Sequence, residues 1–198
     1  MFRLFGIILA GLTMSVVGLD GCTIDPARQA SRESGFGRLI STTDIPRLSS
    51  TTESEIKKVA ASMKRVKSGS CLIAYGASGT GKTIAARMLA IEIGNPLFRV
   101  DLAAVVSKYI GETEKNLSRV FDNAASNHWI LFFDEADALF GRRMSVNDAH
   151  DRYANREVVH FAGRLQKHRG IVILATDSRE NIRPAIQKQC RHKIKIQK

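Results

Sequence analysis

The sequence predicts an α/β fold in which helices cover a mainly parallel sheet. Short apolar segments alternate with amphipathic helical segments between residues 71 and 196, a pattern typical of parallel α/β domains. One segment, Ile130-Leu131-Phe132-Phe133, is continuously apolar, as expected of a central strand that is buried on both faces. A glycine-rich turn joins the first apolar segment to the helix that follows it.

Composition and charge narrow the class of protein. A chain of 198 residues with 44% apolar side chains is long enough to form one domain with its own core, and it is too apolar to be disordered throughout. Three cysteines are too few for a disulfide scaffold; we expect Cys71 to be buried and Cys190 to be exposed. The formal charge is +11, with ten basic and two acidic residues from Arg164 onwards. This excess favours an anionic partner such as a nucleotide, a nucleic acid or a membrane surface.

Residues 1–22 are interpreted as a signal-like or membrane-anchor segment. Between Arg3 and Asp20 lie sixteen uncharged residues, fewer than the roughly 20 that span a bilayer but suitable for the core of a signal peptide. The residues that end at Cys22 resemble a lipoprotein cleavage box, in which this cysteine would be lipidated. The interpretations that remain open are a cleaved lipoprotein signal, an uncleaved membrane anchor through residues 4–19, an apolar helix packed on the domain, and a mis-called start codon.

A linker is predicted at 23–50 and the folded domain at 51–198. The linker is rich in Gly, Ser, Thr and Arg without periodicity. The domain begins with a helix that starts at the capping box Thr52-Glu53-Ser54-Glu55 and ends at Gly69. The elements predicted after it are, in order, a strand at 71–75, a helix at 82–93 closed by Gly94, a strand at 97–101, a helix at 114–126, a strand at 129–133, a helix at 151–168, a strand at 171–175 and an edge strand at 193–196.

The turn after the first strand has the pattern of a phosphate-binding loop. Residues 76–83, GASGTGKT, match G-x-x-x-x-G-K-[ST] in full and lie between an apolar strand and a helix. Glycines let successive backbone N–H groups curl around phosphates, and the amino end of the helix favours negative charge. We expect Lys82 to reach the β- and γ-phosphates and the Thr83 hydroxyl to bind Mg²⁺. The predicted ATP-binding residues are Gly76, Ala77, Ser78, Gly79, Thr80, Gly81, Lys82 and Thr83.

Two carboxylates follow the most apolar strand. Asp134 and Glu135 come directly after Ile130–Phe133, and ligands of parallel sheets bind at the carboxyl ends of the strands. We expect Asp134 to hold Mg²⁺ through water and Glu135 to polarise the attacking water. With Lys82 and Thr83, these residues predict Mg²⁺-dependent hydrolysis of ATP.

Four motifs in order connect the sequence to a known family. GASGTGKT, SKYIGETEKNLSRVFDNA, ILFFDEADALFGRR and ILATDSRENIRPAI together resemble the ATPase core of AAA proteins, a branch of the AAA+ class, over residues 70–196. The resemblance implies a three-layer αβα P-loop NTPase core with a mainly parallel five-stranded sheet. It also implies ATP and Mg²⁺ as cofactors, a homo- or hetero-oligomeric ring that is usually a hexamer, and a polypeptide substrate that the ring remodels.

Further positions carry over from that resemblance. Tyr109-Ile110-Gly111 matches the first pore loop, whose aromatic residue grips the substrate polypeptide at the centre of the ring. Asp177 occupies the polar sensor position that reads the γ-phosphate and counts among the expected catalytic residues. The family usually has Asn there, and a carboxylate beside phosphate adds repulsion unless a cation or a shared proton offsets it.

Two departures from the family bear on catalysis. Lys188 and Gln189 occupy the positions of the arginine fingers, and neither side chain reproduces the guanidinium fork. The family's helical lid is expected to be missing, because the chain stops at Lys198, directly after the core.

Three functions follow from these residues. The first is ATP hydrolysis that drives remodelling of a protein. The second is a catalytically weak nucleotide-binding adaptor or regulatory subunit, favoured by Asp177, Lys188 and Gln189. The third is a DNA-associated P-loop ATPase, against which Tyr109 argues, so a nucleic-acid partner is not expected. An ATPase that works must be cytoplasmic, or membrane-associated and facing the cytoplasm, and we interpret the basic surplus after Arg164 as a subunit interface.

Overall fold

A six-stranded sheet forms the centre of the domain. The computed structural model describes residues 16–17, 23–24, 35–65, 69–140 and 149–197. The strands are β1 (Val16–Val17), β2 (Thr23–Ile24), β3 (Gly37–Ile40), β4 (Ser70–Tyr75), β5 (Leu97–Val100), β6 (Ile130–Phe133), β7 (Ile171–Thr176) and β8 (His192–Lys195). Strands β1 and β2 pair only with each other within the described ranges, whereas the central sheet has the order β3-β5-β6-β7-β4-β8. All of its neighbouring strands are parallel except β3 and β5.

Helices cover both faces of this sheet. They are α1 (Ser50–Arg65), α2 (Lys82–Ile93), α3 (Leu102–Val105), α4 (Glu112–Asn127), α5 (Asp137–Phe140), α6 (Ala149–Lys167) and α7 (Pro184–Gln187), with a 3₁₀ turn at Arg179–Asn181. Because side chains alternate along a strand, β6 sends Ile130 and Phe132 into a core with α1 and α2. Leu131 and Phe133 enter a second core with α4 and α6. The predicted three-layer α/β architecture is therefore confirmed.

The sheet has one strand more than the five predicted. Strand β3 lies in the stretch that the sequence analysis interprets as a linker, yet it pairs antiparallel with β5 from Gly37 opposite Val100 to Ile40 opposite Leu97. Leu39 and Ile40 pack against the cores on opposite faces of the sheet. The surrounding glycines, serines and arginines hide this short strand from a periodicity argument, because only the pairing with β5 defines it.

The first helix starts earlier than its sequence pattern indicates. Helix α1 begins at Ser50, and the Ser49 hydroxyl accepts a hydrogen bond from the Thr52 N–H at 3.4 Å. The Glu53 carboxylate accepts one from the Leu48 N–H at 3.3 Å. Thr52, the predicted cap, is instead buried inside the first turn. The described part of this helix runs to Arg65, and residues 66–68, which precede the predicted stop at Gly69, lie outside the described residues.

A disulfide bond joins Cys71 to Cys190, although the two residues are 119 positions apart. The expectation that Cys190 is exposed is wrong, because this residue is 2% exposed. Its backbone N–H donates to the Ile186 carbonyl at 3.2 Å, and Ile186 is itself in the core. Helix α7 thus folds Cys190 back onto β4, a long-range contact that residue spacing cannot show.

The predicted signal-like or anchor segment lies outside the described residues, apart from Val16–Val17. Within the described ranges, no helix combines the length and the apolar character needed to cross a bilayer.

Candidate functional site

The polar residues singled out in the sequence meet in a cleft of about 580 Å³ at one end of the sheet. Strands β4, β7 and β6 are parallel neighbours, so their carboxyl ends share this edge. The cleft is lined by Ser78, Gly79, Gly81, Lys82, Thr83, Ile84, Asp134, Glu135, Asp137, Ala138, Thr176 and Asp177. Five of the eight phosphate-loop residues and the acidic pair that follows β6 therefore face one space, whereas Gly76, Ala77 and Thr80 do not line it.

The loop between β4 and α2 has a backbone that depends on its glycines. Gly79 and Gly81 have φ values of 75° and 98°, a left-handed conformation that residues with a Cβ rarely adopt. A Cβ on Gly76 would lie 2.3 Å from the Ile196 carbonyl oxygen, so only glycine lets the chain after β8 come this close. The twelve residues of α2 begin directly at Lys82. Its amino end points at the cleft and favours an anion there.

Lys82 is fully engaged by three acceptors. Its ammonium donates to the Gly76 carbonyl at 2.6 Å, to the Ala77 carbonyl at 3.2 Å and to Asp177 Oδ1 at 2.6 Å. A lysine has three protons to donate, so this geometry uses all of them. The Lys82 side chain is 12% exposed, whereas that of Asp177 is 62% exposed. The lysine is therefore held in the loop, and the carboxylate reaches it from the solvent side.

Asp134 is engaged by an arginine that the sequence analysis missed. Arg99 Nη2 lies 2.8 Å from Asp134 Oδ2, because β5 and β6 are parallel neighbours with Arg99 in register with Phe132. A charged residue inside the otherwise apolar strand Leu97–Val100 was the signal available in the sequence. Arg99 also lines a second cavity of about 660 Å³, which shares Asp134 and Glu135 with the first cleft.

Glu135 is exposed at the mouth of the cleft. Its φ of 51° is left-handed, and the next residue, Ala136, donates its N–H to the Ala175 carbonyl at 2.8 Å. This bond ties the turn after β6 to β7. Within the part of the chain that the structure describes, no hydrogen bond or ion pair occupies the Glu135 carboxylate.

The Tyr109-Ile110-Gly111 segment lies away from the cleft, directly before α4. Tyr109 is 74% exposed and Ile110 is 69% exposed, so an ordinary buried tyrosine is excluded. Gly111 caps α4 with a φ of 82°. The Ser107 hydroxyl donates to the Glu112 carboxylate and accepts from the Tyr109 N–H. These bonds hold the base of the loop while its two large side chains project outward.

Lys188 and Gln189 lie at the opposite end of the sheet from Asp134. They line a cavity of about 280 Å³ together with Ser70 and Cys71, at the start of β4. Neither residue lines the cleft that contains Lys82.

Comparison with known proteins identifies the family. The model of the ATPase family associated with various cellular activities (AAA) matches residues 72–198. The chain belongs to the AAA family. It is 37% identical over 125 residues to the AAA family ATPase y4kL of Sinorhizobium fredii, covering 61% of this chain and 37% of that protein.

Two eukaryotic AAA proteins are similarly related. The ATPase family gene 2 protein of Schizosaccharomyces pombe is 34% identical over 128 residues, covering 64% of this chain and 16% of that protein. The probable 26S proteasome regulatory subunit 10B of Caenorhabditis elegans is 35% identical over 133 residues, covering 64% of this chain and 32% of that protein. The chain therefore spans about a third or less of the length of these AAA relatives.

A solved structure shares the fold. A chain in the structure of the E. coli MS115-1 HORMA:CdnC:Trip13 complex superposes with a TM-score of 0.67 and 19% sequence identity. The match covers 83% of this chain and 70% of that chain. At this identity the likeness shows the AAA core architecture, consistent with the sheet described above.

Proposed function

We propose that this AAA core binds ATP with Mg²⁺ in the cleft of residues 76–83 and hydrolyses it. The observation that carries the proposal is the meeting of Lys82 and Thr83 with Asp134 and Glu135 around one space of about 580 Å³. A glycine loop, a helix amino end and a lysine bind phosphates. A carboxylate that is free of protein partners can serve as a base.

The residues present fit a Mg²⁺ ion. The Thr83 hydroxyl and the Asp134 carboxylate are oxygen ligands of the kind Mg²⁺ prefers, and both line the cleft. When bound, the ion would neutralise charge on the phosphates. Asp134 is half-buried and its Oδ2 lies 2.8 Å from Arg99 Nη2, so a metal ion at this carboxylate would have to share it with the guanidinium or displace the guanidinium.

Each side chain has a separate task in the proposed reaction. Lys82 would place its charge against the phosphates, because the loop carbonyls of Gly76 and Ala77 hold its ammonium at the loop. Glu135 would orient a water molecule and accept its proton, since its carboxylate is exposed and unoccupied within the described part of the chain. Removing a base of this kind typically costs about 10²- to 10⁴-fold in rate.

Phosphate release from ATP tests the proposal. We compare the full chain with Glu135→Gln, which keeps the shape but removes the base, and with Glu180→Gln, an exposed carboxylate outside the cleft. The proposal expects turnover by the parent chain and by Glu180→Gln, and at least about a hundredfold loss in Glu135→Gln. Equal rates in the parent chain and Glu135→Gln would refute the hydrolytic function.

We further propose that hydrolysis drives remodelling of a polypeptide by a ring of subunits. The exposure of Tyr109 and Ile110 on a loop anchored by Ser107 supports this, because large side chains on a fixed base can grip an extended chain. Tyr109→Ala is expected to retain ATP turnover and to lose the unfolding of a tagged protein substrate. Tyr109→Phe, which keeps the ring, is the matched control. Because the reaction needs ATP, we place the domain in the cytoplasm or on the cytoplasmic side of a membrane.

A second candidate is a nucleotide-binding adaptor or regulatory subunit. The ion pair between Lys82 and Asp177 favours it, as does the absence of arginine from positions 188 and 189. Such an adaptor binds nucleotide without turnover by itself, and turnover or assembly appears only after it is mixed with an active AAA partner.

A further inference from the structure

The Asp177 carboxylate is paired with Lys82, the lysine that would contact phosphate in the proposed nucleotide site. The Lys82 ammonium donates one hydrogen bond to Asp177 Oδ1 at 2.6 Å, and its other two hydrogen bonds go to backbone carbonyls of the loop itself. The carbonyl bonds belong to the loop conformation. An incoming phosphate oxygen therefore competes with Asp177 for the lysine rather than with the loop.

The sheet topology indicates which phosphate of a nucleotide would lie closest to the Asp177 carboxylate. Tyr75 and Thr176 are in register, so Asp177 follows β7 at the level where Gly76 follows β4. Strand β7 lies between β4 and β6, which places Asp177 between the phosphate loop and the Asp134-Glu135 pair. The backbone of such a loop cradles the α- and β-phosphates, and hydrolysis requires the terminal phosphate to lie towards Glu135. The terminal phosphate of a bound triphosphate would therefore lie nearest to Asp177.

We propose that Asp177 makes this site select nucleoside diphosphate over nucleoside triphosphate. This inference rests on the proposed nucleotide binding by residues 76–83. A diphosphate brings only its β-phosphate to Lys82 and places no terminal phosphate against the carboxylate that forms the ion pair with this lysine. A triphosphate must break that ion pair or place its terminal phosphate against the carboxylate. An asparagine at position 177 would remove the like charge and could donate a hydrogen bond to the phosphate through its amide.

The expected size of the selection follows from Coulomb's law. Repulsion between two like unit charges about 4 Å apart in a water-like medium weakens a binding constant by about fivefold. The effect is larger where the medium is less polarisable. Asp177 is 62% exposed, so the lower end of this range applies. We expect Asp177→Asn to change the ratio of the two affinities by about five- to tenfold.

The test measures the dissociation constants of ADP and of the slowly hydrolysed β,γ-imido analogue of ATP by calorimetry on the full chain, with Mg²⁺ in excess. The control is Asp122→Asn, because Asp122 is a similarly exposed aspartate in an ion pair, with Arg164, but does not line the cleft. The parent chain and the control should bind ADP more tightly than the analogue. Asp177→Asn should bind the analogue about five- to tenfold more tightly than the parent chain, with less than a twofold change for ADP.

The outcomes separate this inference from the proposed function. If both nucleotides bind and Asp177→Asn leaves their affinity ratio unchanged, or if Asp122→Asn shifts it equally, the selection by Asp177 is overturned and the nucleotide site stands. If neither nucleotide binds the parent chain, the nucleotide site itself is overturned, and the selection with it. Asp177→Ser provides a second neutral variant should the asparagine variant fail to fold.

Discussion

The Lys82 ammonium and the Asp177 carboxylate form an ion pair, with 2.6 Å between Nζ and Oδ1. The lysine starts the helix after β4 and the aspartate follows β7, so the pair joins two parallel strands at the edge where the cleft opens. Most of the lysine is buried, whereas most of the aspartate is exposed. The acidic partner is therefore the one that can leave when a phosphate arrives.

Replacing Lys82 with alanine should abolish tight nucleotide binding. The substitution removes the cation of the cleft and leaves Asp177 as an unpaired negative charge. Hydrogen bonds to charged groups contribute about 1.5–3 kcal/mol, so we expect roughly a 10- to 150-fold weaker affinity for ATP, measured by fluorescence of a labelled analogue. Lys167→Ala, on the far end of α6, is the control. An unchanged affinity in Lys82→Ala would contradict the placement of the phosphates.

Arg99 should compete with Mg²⁺ for Asp134. The guanidinium lies 2.8 Å from the carboxylate. A cation that binds the same oxygen must displace the guanidinium or share the oxygen with it. Arg99→Met keeps much of the side-chain volume but removes the charge, so the Mg²⁺ concentration for half-maximal turnover should fall several-fold. Arg99→Lys retains the charge and should resemble the parent chain. A higher Mg²⁺ requirement in Arg99→Met would show that Arg99 instead orients Asp134 for the metal.

The Cys71–Cys190 bond should contribute strongly to stability. It closes a loop of 119 residues, and loops of this length restrict the unfolded chain by about 4–5 kcal/mol, with measured losses of about 2–5 kcal/mol. The midpoint of urea unfolding of the parent chain should therefore shift to a lower urea concentration when dithiothreitol is added. Cys190→Ala should unfold at the lower midpoint even without dithiothreitol, and adding dithiothreitol should not change that midpoint further. Equal midpoints for the oxidised and reduced parent chain would exclude the bond.

His168 should make stability depend on pH. Burial, followed by the nearby Arg164, lowers the pKa of His168 below its usual 6.5. The unfolded chain then binds a proton more readily than the folded one, so the free energy of unfolding falls as pH drops below about 6.5. His168→Gln should show a smaller loss than the parent chain between pH 7.5 and 5.5. The control is His192→Gln, because burial also lowers the pKa of His192 but this residue is more exposed. A full pH dependence in His168→Gln would rule out His168 as its source.

Local patterns in the sequence were sufficient for the main elements of the site. The limits of α2 at Lys82–Ile93 and its closure by Gly94 match their prediction, because a glycine turn and a glycine cap are local signals. Ser78, Gly79, Gly81, Lys82 and Thr83 of the P-loop pattern face one cleft with the acidic pair after β6, since the carboxyl ends of parallel strands share an edge. What sequence reasoning missed depends on contacts between distant segments.

Three features illustrate that limit. Strand β3 exists through its pairing with β5, and its own composition resembles a linker. Cys71 and Cys190 meet because α7 turns back over β4. Arg99 on β5 contacts Asp134, which follows the neighbouring strand β6. The distance between the two residues along the chain does not reveal this contact. Each depends on tertiary packing, which residue propensities do not encode.

The identity of the nucleotide recovered from the protein tests the central claim most directly. The full chain and its Glu135→Gln variant are incubated with ATP and Mg²⁺, separated from free nucleotide, denatured and analysed by chromatography. We predict ADP from the parent chain, ATP from Glu135→Gln, and no nucleotide from Lys82→Ala. Recovery of unchanged ATP from both the parent chain and Glu135→Gln, or of equal nucleotide from Lys82→Ala, would contradict a hydrolytic site built from residues 76–83 and the Asp134-Glu135 pair.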